Sequence, residues 1–88
     1  MPEGPGSNIP GKLAPKAETD MLIALFRQGR LPEAAMRSRE LCKHHPDDAF
    51  VFNIAGVISA SSGRLEEALR CYRRAIEIKA DYDEAHNN

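Results

Sequence analysis

The stretch GRLPEA, residues 29–34, recurs as GRLEEA at residues 63–68. The two copies differ only at Pro32 and Glu66, and their glycines lie 34 residues apart in a chain of 88. On both sides of each glycine, apolar residues recur at intervals of three and four, which is the period of an amphipathic helix. A glycine after such a pattern predicts a left-handed helix stop. The repeated stretch therefore predicts the joint of a helical hairpin that occurs twice.

The joints and the prolines divide the chain into helices. The first helix is predicted from Ala17 to Gln28, and the second begins with Pro32 in its first turn and stops before Pro46. A third helix, AFVFNIAGVISASS, is apolar nearly all round and must be covered on several sides. Such a succession of helices, with no strand pattern between them, predicts an all-α fold.

Aspartates mark the predicted starts of the later helices. Asp47 or Asp48 offers a carboxylate to the free amides at the start of the third helix. The fourth helix follows the second glycine joint and is predicted to end near Lys79. Asp81 or Asp83 is then predicted to cap a fifth helix, of which only DEAHNN is written.

The whole helical unit repeats with the same period. Residues 15–48 align over residues 49–82, and residues 83–88 begin a third unit. The sequence thus predicts two full 34-residue repeats and the start of another within a domain of residues 16–88. Residues 1–15 are rich in proline and glycine, so we expect this segment to be disordered.

This unit resembles the tetratricopeptide repeat. The second unit supplies Phe52 and Gly56 at the aromatic and small positions of its first helix, and Ala68, Tyr72 and Ala75 in its second. The first unit is less regular, with these residues at the corresponding positions: Glu18, Leu22, Ala34, Ser38 and Leu41. Ala80 stands where the family usually has proline. The resemblance implies a right-handed superhelical stack of antiparallel helix hairpins.

Composition excludes several classes of protein. Twelve Lys and Arg oppose thirteen Asp and Glu, which predicts no nucleic-acid partner. No apolar run reaches the roughly 18 residues of a membrane span. Cys42 and Cys71 have no CxxC spacing, which favours buried thiols in a cytoplasmic protein over a disulfide. We therefore expect a cytoplasmic protein with no membrane partner.

The chain shows no pattern of residues that supports catalysis or cofactor binding, so we expect no enzyme activity and no cofactor. Two weaker patterns suggest a binding site, and each is weighed against an ordinary surface role for the same residues. The first is the segment CKHHP, in which Cys42, His44 and His45 lie at a helix end and are candidate ligands of a metal ion. Because consecutive histidines at a helix end point in different directions, no metal site is predicted. The second pattern is a cluster of three arginines, Arg70, Arg73 and Arg74. The alternative that they form a phosphate-binding patch is weighed against an ordinary solvated face of mixed charge.

The resemblance also implies where a ligand binds. In this family, the first helices of successive units line a concave groove that holds peptides or partner proteins. Position by position, the groove candidates are Lys16, Thr19, Asp20, Ile23, Phe50, Asn53, Ile54, Val57, Glu84, Asn87 and Asn88.

The primary expectation for function is a non-catalytic scaffold that binds a protein or peptide. The alternative is the amino-terminal scaffold of a larger glycosyltransferase or sulfotransferase with its catalytic domain after residue 88, because GRLPEA, HPDD and EAHNN resemble bacterial arrays that precede such domains. Since the third unit is only begun, Leu69, Tyr72 and Ile76 of the fourth helix lack a full following helix in the sequence. We expect the chain either to be less stable than one extended by a repeat or to self-associate through this face.

Overall fold

A computed structural model describes the backbone of residues 13–87 and the side chains of residues 13–80. It contains four helices: α1 Lys16–Arg27, α2 Leu31–His44, α3 Ala49–Ser61 and α4 Leu65–Asn87. Over the described residues the chain is all-α, as predicted, and it forms two antiparallel hairpins, α1–α2 and α3–α4. The predicted disorder of residues 1–15 falls almost wholly outside this range and stays a prediction.

Both glycine joints have the predicted left-handed conformation. The backbone φ is 78° at Gly29 and 82° at Gly63. In the first joint the amide of Arg30 donates to the carbonyl oxygen of Leu25 at 3.0 Å. The second joint repeats this bond with Arg64 and Ser59 at 2.8 Å. Both bonds bind the residue after the glycine to the last helical turn, which is the pattern of a Schellman cap.

Asp48, rather than Asp47, caps α3. The amides of Phe50 and Val51 donate to Asp48 Oδ1 at 3.0 and 3.3 Å. The other carboxylate oxygen, Oδ2, accepts a 2.8 Å bond from the amide of Ala14, which precedes α1. Asp48 is buried, whereas Asp47 is exposed. One carboxylate therefore caps the second hairpin and ties it to the start of the first.

The prediction that the fourth helix ends near Lys79 is wrong. Helix α4 continues through Asp81 and Asp83 to Asn87, so no separate fifth helix begins at either aspartate within the described residues. The physical reason is that nothing in this segment stops a helix. Ala80, a strong helix former, occupies the position at which the family usually has proline. In addition, neither glycine nor proline occurs after Gly63.

Helix α3 lies at the centre of the packing. It contacts all three other helices within the described residues. The largest side chains that are wholly removed from solvent are Leu22 of α1 and Val51 and Ile58 of α3. Ala34 and Ala68 are also buried, which confirms that a small residue lies at the start of each second helix where the helices approach closely. The two hairpins thus share one continuous apolar core.

The two hairpins fill an equivalent internal position differently. In the second hairpin, Gly56 lies under the ring of Tyr72, and a Cβ atom added to Gly56 would be 2.6 Å from Tyr72 Cε1. In the first hairpin the corresponding residues, 34 positions earlier, are Leu22 and Ser38. Both are buried, and the Ser38 hydroxyl donates to the carbonyl oxygen of Ala35 at 2.9 Å. Each hairpin therefore has one large and one small residue at this pair of positions.

Candidate functional site

The predicted groove residues that are exposed lie on the first helices of the two hairpins. On α3 they are Phe50, Asn53 and Val57, which share one face because they are spaced by three and four residues. Phe50 is 55% exposed and Val57 is 40% exposed. On α1 the exposed candidates are Lys16 and Asp20, whose Nζ and Oδ2 atoms form an ion pair of 3.0 Å. The first-helix surface is therefore apolar on α3 and charged on α1.

The remaining first-helix candidates belong more to the fold than to an open surface. Thr19 is buried, and its hydroxyl donates to the carbonyl oxygen of Lys16 at 3.0 Å. Ile23 and Ile54 are half-buried, and Ile54 packs against the core. These three side chains therefore offer less surface to a ligand than the exposed candidates do.

The candidates assigned to a third unit have a different setting. Glu84 and Asn87 lie in the continuation of α4, not on a first helix of another unit. Their side chains are outside the described residues, as is the whole of Asn88. No new helix begins at Glu84 or Asn87, and the expectation that these three residues line a groove with α1 and α3 stays a prediction.

A second open surface, not foreseen from the sequence, lies between α1 and α2. It is a groove of about 940 Å³ whose lining includes Glu18, Met21, Glu33, Met36, Glu40 and His44. In the sequence, Met21 falls within the apolar pattern of the first helix, whereas Glu18, Glu33 and Glu40 occupy polar helical positions. The signal that could have found it is the placement of Met21 and Met36 at exposed helical positions, since isolated charged positions alone indicate only a solvated face.

Two arginines join the hairpins through their second helices. Arg39 of α2 donates to Glu67 of α4 through Nε and Nη2, at 3.2 and 3.3 Å. Arg74 of α4 donates through Nη2 to the carbonyl oxygen of Pro46 and to Asp47 Oδ1, both at 3.4 Å. Arg74 is thus engaged with the turn before α3. It is not a free member of the phosphate patch considered as an alternative.

The ion pair with Arg39 changes the titration of Glu67. The two hydrogen bonds from the guanidinium stabilise the ionised carboxylate, so the pKa of Glu67 falls below its usual 4.5 although partial burial acts in the opposite direction. A carboxyl group whose pKa is lower in the folded chain stabilises the fold above the unfolded pKa. That contribution disappears as the pH falls through the folded pKa.

We expect Glu67→Gln to lower the free energy of unfolding at pH 7 by about 0.5–1 kcal/mol, because this pair is bidentate but partly exposed. The difference from the unsubstituted chain should shrink as the pH falls through the lowered pKa of folded Glu67, because the carboxylate then becomes protonated in both states. Urea unfolding followed by circular dichroism at several pH values measures it. Glu66→Gln, at an exposed neighbouring position, serves as the control and should show little effect. A Glu67→Gln deficit that is independent of pH would contradict this role.

The two cysteines are free thiols on facing helices and are half-buried. Burial raises the pKa of the Cys42 thiol to about 12, and the nearby Cys71, Glu67 and Asp48 act in the same direction. The pKa of Cys71 is also raised, again mainly by burial. Both thiols are therefore weak nucleophiles near neutral pH, because the reactive thiolate is scarce.

The structure gives no metal-binding arrangement to the CKHHP segment. His44 is exposed, and its Nε2 atom lies 3.4 Å from Glu40 Oε1, one helical turn away. Cys42 lies instead in the cavity between the hairpins. Among the residues whose side chains are described, no three metal-ligating groups converge. Likewise, no helix in the described part of the chain is long and apolar enough to cross a membrane.

The stacked hairpins, their paired glycine joints and the shared core define a helical repeat protein. Residues 56–88, which comprise the second half of α3 and all of α4, match the family model described as TPR repeat. Residues 56–88 are thus similar to a tetratricopeptide repeat, in agreement with the 34-residue period of the sequence. No curated protein and no solved structure matches the chain. The resemblance to arrays that precede transferase domains stays a prediction.

Proposed function

We propose that this chain is a non-catalytic scaffold that binds a peptide or a segment of a partner protein across the first-helix surface of α1 and α3. The observation that supports the proposal is the exposure of Phe50 and Val57 on one face of α3, two turns apart, with Asn53 between them. Repeats of this family generally mediate interactions between proteins.

The chemistry of this surface suits an extended peptide with apolar side chains. Covering Phe50 and Val57 would remove apolar surface from water, which contributes about 1–2 kcal/mol per side chain when it is well packed. The amide of Asn53 has both donor and acceptor atoms, so it can bind the backbone of such a peptide. At the α1 side, Lys16 and Asp20 are exposed and available for polar side chains of the partner.

Selection from a displayed peptide library, followed by affinity measurement on the recovered peptides, tests this role. Phe50→Ala is expected to weaken binding at least tenfold, because truncation of a central aromatic residue removes most of the apolar contact. Leu69→Ala is the matched control, since Leu69 is 60% exposed but lies on α4. Failure to recover any peptide, or equal weakening by both variants, would refute binding at this surface.

The alternative, a scaffold that precedes a transferase domain, is compatible with the same binding surface. It rests on the resemblance of GRLPEA, HPDD and EAHNN to such arrays. Reading the parent gene beyond Asn88 distinguishes the two: a glycosyltransferase or sulfotransferase domain there would establish the alternative, and further repeats alone would remove it.

Two further parts of the proposal concern location and partners. We place the protein in the cytoplasm, which is supported by its two free thiols and by the absence of any membrane-spanning helix among the described residues. The net charge of −1 supports a protein partner over a nucleic acid. Self-association through the exposed face of α4 is also part of the proposal.

A further inference from the structure

The junction between the two hairpins shows how one unit receives the next. Helix α2 of the first hairpin packs against α3 of the second, and Arg39 of α2 reaches Glu67 of α4 through its two side-chain hydrogen bonds across this junction. On α2, Cys42 lines the small cavity between the hairpins and is half-buried, Ala35 is buried, and Leu31 is half-buried. The junction thus combines a covered apolar stripe with one arginine–glutamate pair.

The repeat places the same two charged residues at opposite ends of the chain. The position 34 residues after Arg39 is Arg73 on α4, and the position 34 residues before Glu67 is Glu33 on α2. Both are exposed. Within residues 13–80, Arg73 has no ion-pair partner, and Glu33 pairs with Arg30 of its own helix end. Among the described side chains Arg73 is therefore unpaired, and Glu33 is paired only within its own hairpin.

The apolar stripe of the junction is also repeated, and on α4 it is open. Leu65, Leu69 and Ile76 correspond to the covered residues of α2 by the same 34-residue shift. Here, however, Leu69 is 60% exposed and Ile76 is 68% exposed, with Arg73 beside them on the helix. We call this surface, made of Leu65, Leu69, Arg73 and Ile76, the tail face.

The groove between α1 and α2 occupies, in the first hairpin, the same position as the surface of the second hairpin against which α2 packs. Its residues Met21 and Glu33 correspond to Ala55 and Glu67, which line the small cavity beside α2 in the junction. We call this surface, made of Glu18, Met21, Glu33, Met36 and Glu40, the head face. Three glutamates and one arginine, Arg37, surround its two methionines, whereas the tail face is apolar beside Arg73, so the excess charges of the two faces are opposite in sign.

We propose that copies of this chain bind one another head to tail, with the tail face of one copy filling the head face of the next. In this arrangement Arg73 pairs with Glu33 of the second copy, and Leu69 and Ile76 pack against its methionines. The inference rests on the self-association proposed above, but it does not require peptide binding by α3. Because the two faces differ, the contact is heterologous and each added copy presents the same free ends.

Sedimentation equilibrium of the full chain over a wide concentration range gives the first test. The weight-average mass is expected to rise past the dimer without a plateau, since a heterologous contact does not close by itself. A monomer at all concentrations up to about 1 mM would overturn the proposal, because a weaker contact amounts to no specific association. A mass that saturates at the dimer would overturn it equally, because it indicates a symmetric contact.

Two single substitutions separate the faces. Leu69→Glu disables the tail and Met21→Glu disables the head, and each variant alone is expected to be monomeric. Mixed in equal amounts they retain one intact tail and one intact head, so they should form a one-to-one dimer that grows no further. Dimers of Met21→Glu alone would overturn the proposal in favour of a contact between two α4 helices. Circular dichroism confirms that both variants remain folded, as their exposed positions predict.

Charge reversal tests the ion pair directly. Arg73→Glu and Glu33→Arg are each expected to weaken association about three- to tenfold by placing like charges together, and mixing the two variants should restore it. Arg70→Glu, an exposed arginine of α4 outside the tail face, is the control and should change association little. Absence of rescue on mixing would overturn the assigned pairing. Leu69→Glu should still bind peptides selected on the Phe50 surface, so failure of the assembly and failure of the scaffold role are distinguishable.

Discussion

Replacing Leu22 by alanine is expected to lower the free energy of unfolding by about 3 kcal/mol, since truncation of a buried leucine removes its transfer free energy and leaves a cavity. Leu22 is 0% exposed and belongs to the core cluster that joins α1, α2 and α3. A domain of this size has a small total stability, so the loss should leave a large part of the chain unfolded at room temperature.

Met21→Ala provides the matched control, because Met21 is the adjacent residue of the same helix and is 49% exposed. It changes a side chain of similar size at nearly the same place in the helix, and we expect a loss below about 1 kcal/mol. Urea unfolding monitored by circular dichroism gives both values. Equal losses in the two variants would show that α1 does not pack against the core through Leu22.

Asp48→Ala should cost about 2 kcal/mol, the upper end of the range for loss of a helix cap. The value is high because the carboxylate accepts bonds from three amides, those of Ala14, Phe50 and Val51. Asp48 is also buried, so its removal leaves these donors with little access to water. The substitution should destabilise the contact between the start of α1 and the second hairpin as well as the start of α3.

Asp47→Ala is the control variant. It distinguishes the loss of the helix cap from the loss of any acidic side chain at this turn. Asp47 is exposed, and its contact is a 3.4 Å bond with Arg74. We expect this variant to lose no more than about 0.5 kcal/mol. Hydrogen exchange of the Phe50 and Val51 amides adds a local readout. Their exchange rates should rise in Asp48→Ala and stay unchanged in Asp47→Ala. Protection of both amides in Asp48→Ala would contradict the assigned cap.

Local signals in the sequence predicted most of the fold. Gly29 and Gly63 have the predicted positive φ, and Pro32 lies in the first turn of α2 while Pro46 follows its end, as expected. The end of the fourth helix was mispredicted because the repeat period was extended over residues that contain no helix-stopping signal after Gly63. Where the family pattern and local chemistry disagreed, at Ala80, local chemistry decided the structure.

The candidate site was less predictable because exposure depends on packing between elements. Thr19 and Asn53 are equivalent positions of the two units, yet Thr19 is buried and Asn53 is exposed. Periodicity assigns a residue to a helix face, but it does not say which neighbour covers that face. The groove beside Met21 escaped prediction for the same reason, since two methionines on separate helices acquire meaning only when the helices are side by side.

The opposite arrangements at Leu22 with Ser38 and at Gly56 with Tyr72 carry a consequence for how the two units could diverge. A leucine introduced at Gly56 alone would overlap the tyrosine ring, and a glycine introduced at Leu22 alone would leave an empty space in the core. Neither unit can be turned into the other by one substitution without passing through an unstable intermediate. The two positions of each pair must change together, and exchange of whole hairpins is the natural step between them.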